Sequence, residues 1–396
     1  MTPLIKPMWI AMLLVVINML GMRGSKITVS LMSLELGASQ FMVGVIVALY
    51  SLLPMFLGLY AGKLTDRLGV RLPIIFGSTG IALGLAIPGF FPVLPALFVS
   101  AAAIGAAHIF YNVSIQNAIG LMSPKEDRAR NFSNFAMMMS ISGFLGPLVS
   151  GMLIDAFGHA KTYLCLTLGP VAGVIIMLAL PKFAANLRGG AEGGNGRNGG
   201  KGGKGGEDEG IKLSGFGLLG NKPLRRVIVM SGILMTALDL LHFYMPIYGH
   251  SIGLAASKIG MIMAAFSAAA FVVRVWMPDI VKRFGEHKVL TFALGVAAVA
   301  YLIIPWIKQV PLLMMITFTL GLGMGCGQPL IMMMIYNRAP EGQSGEALGL
   351  RQTINHFTHM AVPLAFGAIG SAFGVWPVFL TNSLMLMGIG YVSIRR

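Results

Sequence analysis

Arg23 and Lys26 stand inside a long apolar run, and Ser30 continues their helical face at i, i+3 and i+7. Asp239 and His242 repeat the i, i+3 spacing in a later run, with Tyr244 nearby. His108, Asn112 and Gln116 share a face at i, i+4 and i+8, beside Tyr111. Arg351, Asn355 and His359 do the same, with Gln352 and His356 on a neighbouring face. Arg274 and Gln328 stand alone in other apolar runs. Ionisable groups among apolar neighbours are costly, and such groups face a cavity or a partner. A guanidinium suits bidentate capture of a carboxylate or phosphate. A carboxylate can take up and release a proton, and Asp239 is the first candidate for that task. Arg23, Lys26, Arg274 and Arg351 outnumber the one buried acid, Asp239, and an anionic ligand would balance the excess. Arg23 is therefore read as the main cation for a solute or for coupling, and Arg351 as a second anchor. Plainer readings compete. Arg274 and Arg351 lie about two turns from helix ends, so each could snorkel or close a gate, and Lys26 could reach the outer interface. A lone histidine such as His108 or His242 is more often a hydrogen-bonded filler than a proton carrier.

The surrounding composition sets the solvent. The chain is 56% hydrophobic and 11% charged, with a mean hydropathy of +0.79. Soluble domains are about a quarter charged, so the bilayer is the expected environment. The net charge of +15 does not point to nucleic acid, because the bases cluster in short gaps between apolar runs. Cys165 and Cys326 both lie within apolar runs and imply no disulfide. Lys6 followed by Met8–Met22 resembles a signal peptide, but no small-residue cleavage site follows, so a retained first helix is expected.

A membrane span needs about 20 mostly apolar residues. On that measure twelve spans are expected, over residues 8–34, 41–62, 72–91, 94–121, 132–157, 161–181, 223–249, 256–280, 288–306, 310–336, 345–371 and 375–393. Only Lys161, Lys258 and Lys308 fall on one side, against 22 bases on the other. That bias places both termini in the cytoplasm and the protein in the plasma (inner) membrane.

Residues 183–222 are glycine-dense, polar and aperiodic, which predicts a flexible cytoplasmic linker. Phosphate-loop order is missing there. The linker divides the chain into units 1–182 and 223–396. These look like repeats: Arg67-Leu68-Gly69 matches Arg283-Phe284-Gly285, and Ser123-Pro124 matches Ala339-Pro340, both at a separation of 216 (285 − 69 and 340 − 124). Gly105 then matches Gly321. An alternative alignment on Ser39 and Ser257 places Asp239 within about one helical turn of Arg23 in depth. The alternating glycines of Gly321–Gly327 read as close helix packing, since dinucleotide-loop order is lacking.

Between the second and third runs lies GLYAGKLTDRLGVR, residues 58–71. Its Gly62, Leu64, Asp66, Arg67, Gly69 and Arg71 resemble the signature loop of the major facilitator superfamily. PKEDRAR at 124–130 is similar to that family's loop between helices 4 and 5. Gly143–Gly151 partly resembles its helix 5 exporter motif, with Ser150 in place of a glycine. The second copy of the signature loop is degenerate, with Lys282 where the first has Asp66 and Pro278 where it has Gly62.

The resemblance implies an all-α polytopic membrane protein of twelve transmembrane helices in two pseudo-symmetric six-helix bundles. It implies a central cavity lined by helices 1, 4, 7 and 10, approached by parts of 8 and 11. The implied cavity residues are Arg23, Lys26, His108, Tyr111, Asn112, Asp239, His242, Gln328, Arg351 and Asn355. Gly62, Asp66, Arg67, Gly69 and Arg71 would form the conformational loop, with Asp66 helping to hold the cytoplasmic side shut, and Arg274 a cytoplasmic gate. The implied function is secondary active transport of a small solute by alternating access, coupled to a proton or ion gradient. Export of a small organic anion or amphipathic compound is the first reading; polyspecific drug efflux and uptake are the alternatives. A membrane-embedded enzyme built on His356 and His359 lacks a protease signature, and a channel lacks specific support. No cofactor, no metal, no nucleic-acid partner and a monomeric state are expected.

Overall fold

The computed structural model describes residues 7–123, 128–179, 220–338 and 344–394, and among them no strand occurs. Six helices form the first half: α1 Pro7–Glu35, α2 Gln40–Leu68, α3 Arg71–Phe90, α4 Leu94–Met122, α5 Arg128–Phe157 and α6 His159–Ala179. The second half holds α7 Lys222–Ser251, α8 Ala256–Phe284, α9 Glu286–Ile303 with a 3-10 turn at Ile304–Trp306, α10 Val310–Met324, α11 Gly327–Arg338, α12 Ser344–Phe373 and α13 Val375–Ile394. Helices α10 and α11 are two pieces of one span, broken at Gly325 and Cys326, so the thirteen helices among the described residues make twelve crossings. Ten crossings are long and apolar enough by themselves, and Val375–Gly388 is a shorter apolar helix. The remaining one, α12, carries Arg351, Gln352, Asn355, His356 and His359, which lower its hydropathy. The expected linker, except for its last three residues, lies outside the described residues.

The second span is longer than expected. The residues assigned to a loop, Gly62 to Leu68, continue α2 as helix. The connection to α3 is only Gly69 and Val70, and Gly69 makes the reversal with φ +73°. Glycine alone adopts that conformation without steric cost. Apolar content underestimates such a helix, because its end projects beyond the hydrocarbon core and becomes polar.

The backbone fixes the repeat. Among the described residues, all six positive-φ glycines fall into pairs, Gly37 with Gly253, Gly69 with Gly285, and Gly158 with Gly374, each 216 apart (253 − 37, 285 − 69, 374 − 158). Packing follows the same offset. A Cβ on Gly105 would lie 2.6 Å from the Tyr50 carbonyl oxygen, and Gly321 presses in the same way against the Phe266 carbonyl. Gly105 and Gly321 thus let α4 approach α2, and α10 approach α8. Without an aqueous driving force, helices in lipid associate through such close contacts of small residues.

Each half packs tightly within itself, with α3 against α4 and α6, and α9 against α10 and α13. The halves meet along α5–α8 and α2–α12, with α1 also touching α7. We call the side where α1 begins and α13 ends the terminal face, and the other side the distal face. The interlocking contacts crowd toward the distal face, where Gln40 to Gly44 meets Pro363 to Ser371, and Pro147 to Asp155 meets Ala256 to Gly260. Nearer the terminal face, a Cβ on Gly58 or Gly62 would touch nothing within 4 Å among the described residues. Apolar side chains such as Trp9, Phe56, Phe90, Phe292 and Phe373 point outward, as a lipid-facing surface requires.

Candidate functional site

A small polar cleft lies between the halves, lined by Lys26 and Ser30 of α1, Ser51 of α2, Asp239 and His242 of α7 and His359 of α12. The i, i+3 spacing seen in the sequence puts Asp239 and His242 on one face of α7. Asp239 does not pair with Arg23. His359 Nδ1 meets Asp239 Oδ2 at 2.5 Å, joining α7 to α12. The ring of His356 lies 6.4 Å from that of His359. His242 Nδ1 donates to the Leu238 carbonyl at 2.7 Å, because a carbonyl can only accept. That leaves its Nε2 to serve as the acceptor when the ring is neutral.

Lys26 faces the carboxylate across the cavity without an ion pair, and its ammonium stands 5.9 Å over the Tyr50 ring. Tyr50 in turn shares a hydrogen bond of 3.0 Å with Ser25. Arg23 sits one turn before Lys26, with its Cβ packed against Gly146 of the exporter-like motif. Small residues in that motif therefore make room for the α1 cation, and Gly151 makes room for the α8 backbone at Ala256.

A second polar cluster ties α7 to α12 nearer the terminal face. Arg351 Nε donates to Ser231 Oγ at 3.0 Å, and its Nη1 reaches Met332 Sδ at 3.1 Å. Ser231 Oγ donates to Asn355 Oδ1 at 3.2 Å. Arg351 and Asn355 are each 5% exposed, and among the described residues no carboxylate pairs with that guanidinium. Arg274 crosses the seam: Nη1 donates to Ser140 Oγ at 2.5 Å and Nε to the Gly325 carbonyl at 3.2 Å, at the break between α10 and α11.

The other candidates sit apart from the cavity. His108 and Tyr111 lie inside the first half, where His108 Nε2, Tyr111 Oη and Asn18 Oδ1 are buried without a partner among the described residues. Asn112, one residue on, is half-buried. Gln328 is exposed at the start of α11 and reaches Met235 Sδ at 3.4 Å. Of the signature segment, Arg71 Nη2 donates to the Met177 carbonyl at 3.4 Å, tying α3 to α6, while Arg67 is exposed. The side chain of Asp66 lies outside the described residues. Sequence reasoning placed His359 on the right helical face but did not pair it with Asp239, because the two are 120 positions apart. It missed Ser231 and Met332 altogether, since a serine and a methionine in an apolar run carry no signal of their own.

The fold of two repeated six-helix halves around a charged cavity defines a class of membrane transporter. The chain matches the Major Facilitator Superfamily over residues 11–363 and belongs to it. It is accordingly a multi-pass membrane transporter and not an enzyme. An uncharacterized MFS-type transporter of Bacillus subtilis (strain 168), YuxJ, is 22% identical over 361 residues, covering 90% of this chain and 88% of its own. The tetracycline resistance protein, class G, of Vibrio anguillarum is 23% identical over 336 residues, covering 84% and 82%. The crystal structure of the nucleoside transporter NupG shares the fold with a TM-score of 0.79, 14% identity and 99% coverage of both chains.

Proposed function

We propose that this transporter is a proton-coupled carrier that exports a small organic anion or amphipathic compound by alternating access. The observation that carries the reading is the cleft between the halves in which Lys26 faces Asp239 without pairing, while His359 holds the carboxylate. An anion entering beside Lys26 and Arg23 would gain charge-assisted hydrogen bonds. A proton arriving at Asp239 would loosen its bond to His359 and so free α12 from α7. Two events at one place, both biasing the same helix contact, are what coupling requires. Arg351, with its Ser231 and Asn355 neighbours, is the second anion anchor. The lysine and arginine bias makes the terminal face cytoplasmic, and the close interlocking of the halves at the distal face fits a state closed on the outer side of the plasma membrane. Asp66 and Arg274 would act on the cytoplasmic side as the halves close. The units 1–182 and 223–396, joined by the glycine-rich linker, would rock as two bodies in a monomer.

The likeness to a tetracycline resistance protein favours a second reading, polyspecific drug efflux. A thermal-shift screen of purified protein against organic anions, cations and neutral drugs, run beside Arg23→Gln, separates the two. A ligand that binds only the folded state raises its stability. Anions that stabilise the wild type but not Arg23→Gln support the anion carrier. Cationic or neutral drugs that shift both proteins equally remove it in favour of polyspecific efflux.

A further inference from the structure

The seam at the distal face is built twice. Gly260 packs against the Pro147 carbonyl, and Gly44 against the Pro363 carbonyl. One turn on, Gly151 packs against the Ala256 carbonyl and Gly367 against that of Gln40. At the helix ends, Asp155 Oδ1 and Oδ2 accept from Ala256 N and Ser257 N, each at 3.0 Å. Ser371 Oγ accepts from Phe41 N at 2.8 Å. Each contact is the image of its counterpart under the 216-residue offset that the glycines define (371 − 155 and 257 − 41).

The donors in these bonds are first-turn amides, which have no partner within their own helix. Such amides are ordinarily capped by the residue just before the helix. The residue before α8 is Ala255, which supplies no side-chain cap. Ser39 before α2 bonds Met42 N instead, leaving Phe41 N to the other half. Both helices therefore borrow a cap from across the seam.

We propose that Asp155 and Ser371 are a matched pair of crossing caps that latch the distal face shut, and that the Ser371 latch on α2–α12 releases first. Donor and acceptor sit on opposite halves, so full opening of this face breaks both caps. Asp155 makes two charge-assisted bonds and meets the positive end of α8; Ser371 makes one neutral bond. The weaker of the two caps therefore parts first. Of the function proposed above, this inference needs only that the halves part at this face.

The test uses the full chain in vesicles, with Ser51→Cys as a reporter in the cavity. A membrane-impermeant maleimide is added at the distal face, and the chain with only Cys165 and Cys326 serves as background. Loss of a cap should shift the equilibrium by up to about tenfold. We expect Asp155→Ala to raise the labelling rate by about tenfold and Ser371→Ala by about threefold. Asp155→Ser should fall between Asp155→Ala and the parent, and Ser371→Asp should drop below the parent. Labelling within about twofold of the parent for both alanine variants overturns the latch. A larger rise with Ser371→Ala than with Asp155→Ala overturns the order of release. Labelling that follows the expected order in vesicles without solute flux leaves the caps standing and removes the proposed transport reading. Flux without that order does the reverse.

Discussion

Lys26 on α1 lies over the Tyr50 ring at 5.9 Å, and 216 positions later His242 on α7 meets the Phe266 ring at 5.8 Å. Arg23 and Asp239 stand one turn earlier on the same two helices, at the same offset (239 − 23). The two halves thus reuse these positions, and at Arg23 and Asp239 they reverse the charge. At the distal seam they reuse positions and keep the chemistry, with proline carbonyls against glycines and a side-chain oxygen against first-turn amides. The contrast separates two demands. A seam that must close needs matching surfaces, which duplication supplies. A cavity that bound a charged solute and a proton, as proposed above, would need unlike groups facing each other, which divergence supplies. The partner of Asp239 shows the same divergence: His359 corresponds to Gly143, where the first half has no side chain at all.

Substitutions can break this contrast at either end. The largest effect is expected from Asp239→Asn, which removes the carboxylate charge and leaves His359 only a neutral amide oxygen to bond. Proton-driven solute flux in vesicles should fall by about 100-fold or more, while binding of solute persists. Arg23→Gln should weaken anion binding by about tenfold or more in a calorimetric titration, the loss typical of a charge-assisted hydrogen bond. His359→Gln keeps a hydrogen-bond donor near Asp239 but removes the ring that bonds the carboxylate. Its flux should fall by about tenfold, with solute affinity unchanged. The smallest effects should be on stability. Gly151→Val forces a side chain onto the Ala256 carbonyl and should destabilise the folded protein by about 1–3 kcal/mol. Gly62→Ala, which meets nothing within 4 Å, should stay within about 0.5 kcal/mol of the parent or stabilise it slightly. Thermal melts in detergent compare the two.

Much of the fold was legible because the bilayer constrains it. Apolar runs of the right length located all twelve crossings, and Arg67-Leu68-Gly69 with Arg283-Phe284-Gly285 gave the repeat offset that the glycine backbone angles bear out. Helix ends were less legible: α2 continues to Leu68 because polarity marks the edge of the bilayer and not the end of a helix. The break at Gly325 and Cys326 was hidden, since Gly321–Gly327 suggests close packing whether or not the helix is continuous. Charge in apolar surroundings drew the eye to Arg23, Lys26 and Asp239. Pairing was another matter, because helical spacing orders residues along one helix and says nothing of which helix lies opposite. The Ser39–Ser257 alignment was two positions off the true register, enough to blur the correspondence of Arg23 with Asp239. The crossing caps of Asp155 and Ser371 were invisible for the same reason, each looking like an ordinary polar residue at a helix end.

The central claim is that solute and proton movement are coupled at Asp239. The most direct measurement loads vesicles containing the full chain with a pH-sensitive dye, imposes a gradient of a stabilising organic anion, and follows internal pH. The account predicts proton movement that starts on addition of the anion, drives it against its own gradient when the pH difference is reversed, and vanishes in Asp239→Asn. Anion flux that only runs down its gradient, moves no protons and survives Asp239→Asn would contradict it.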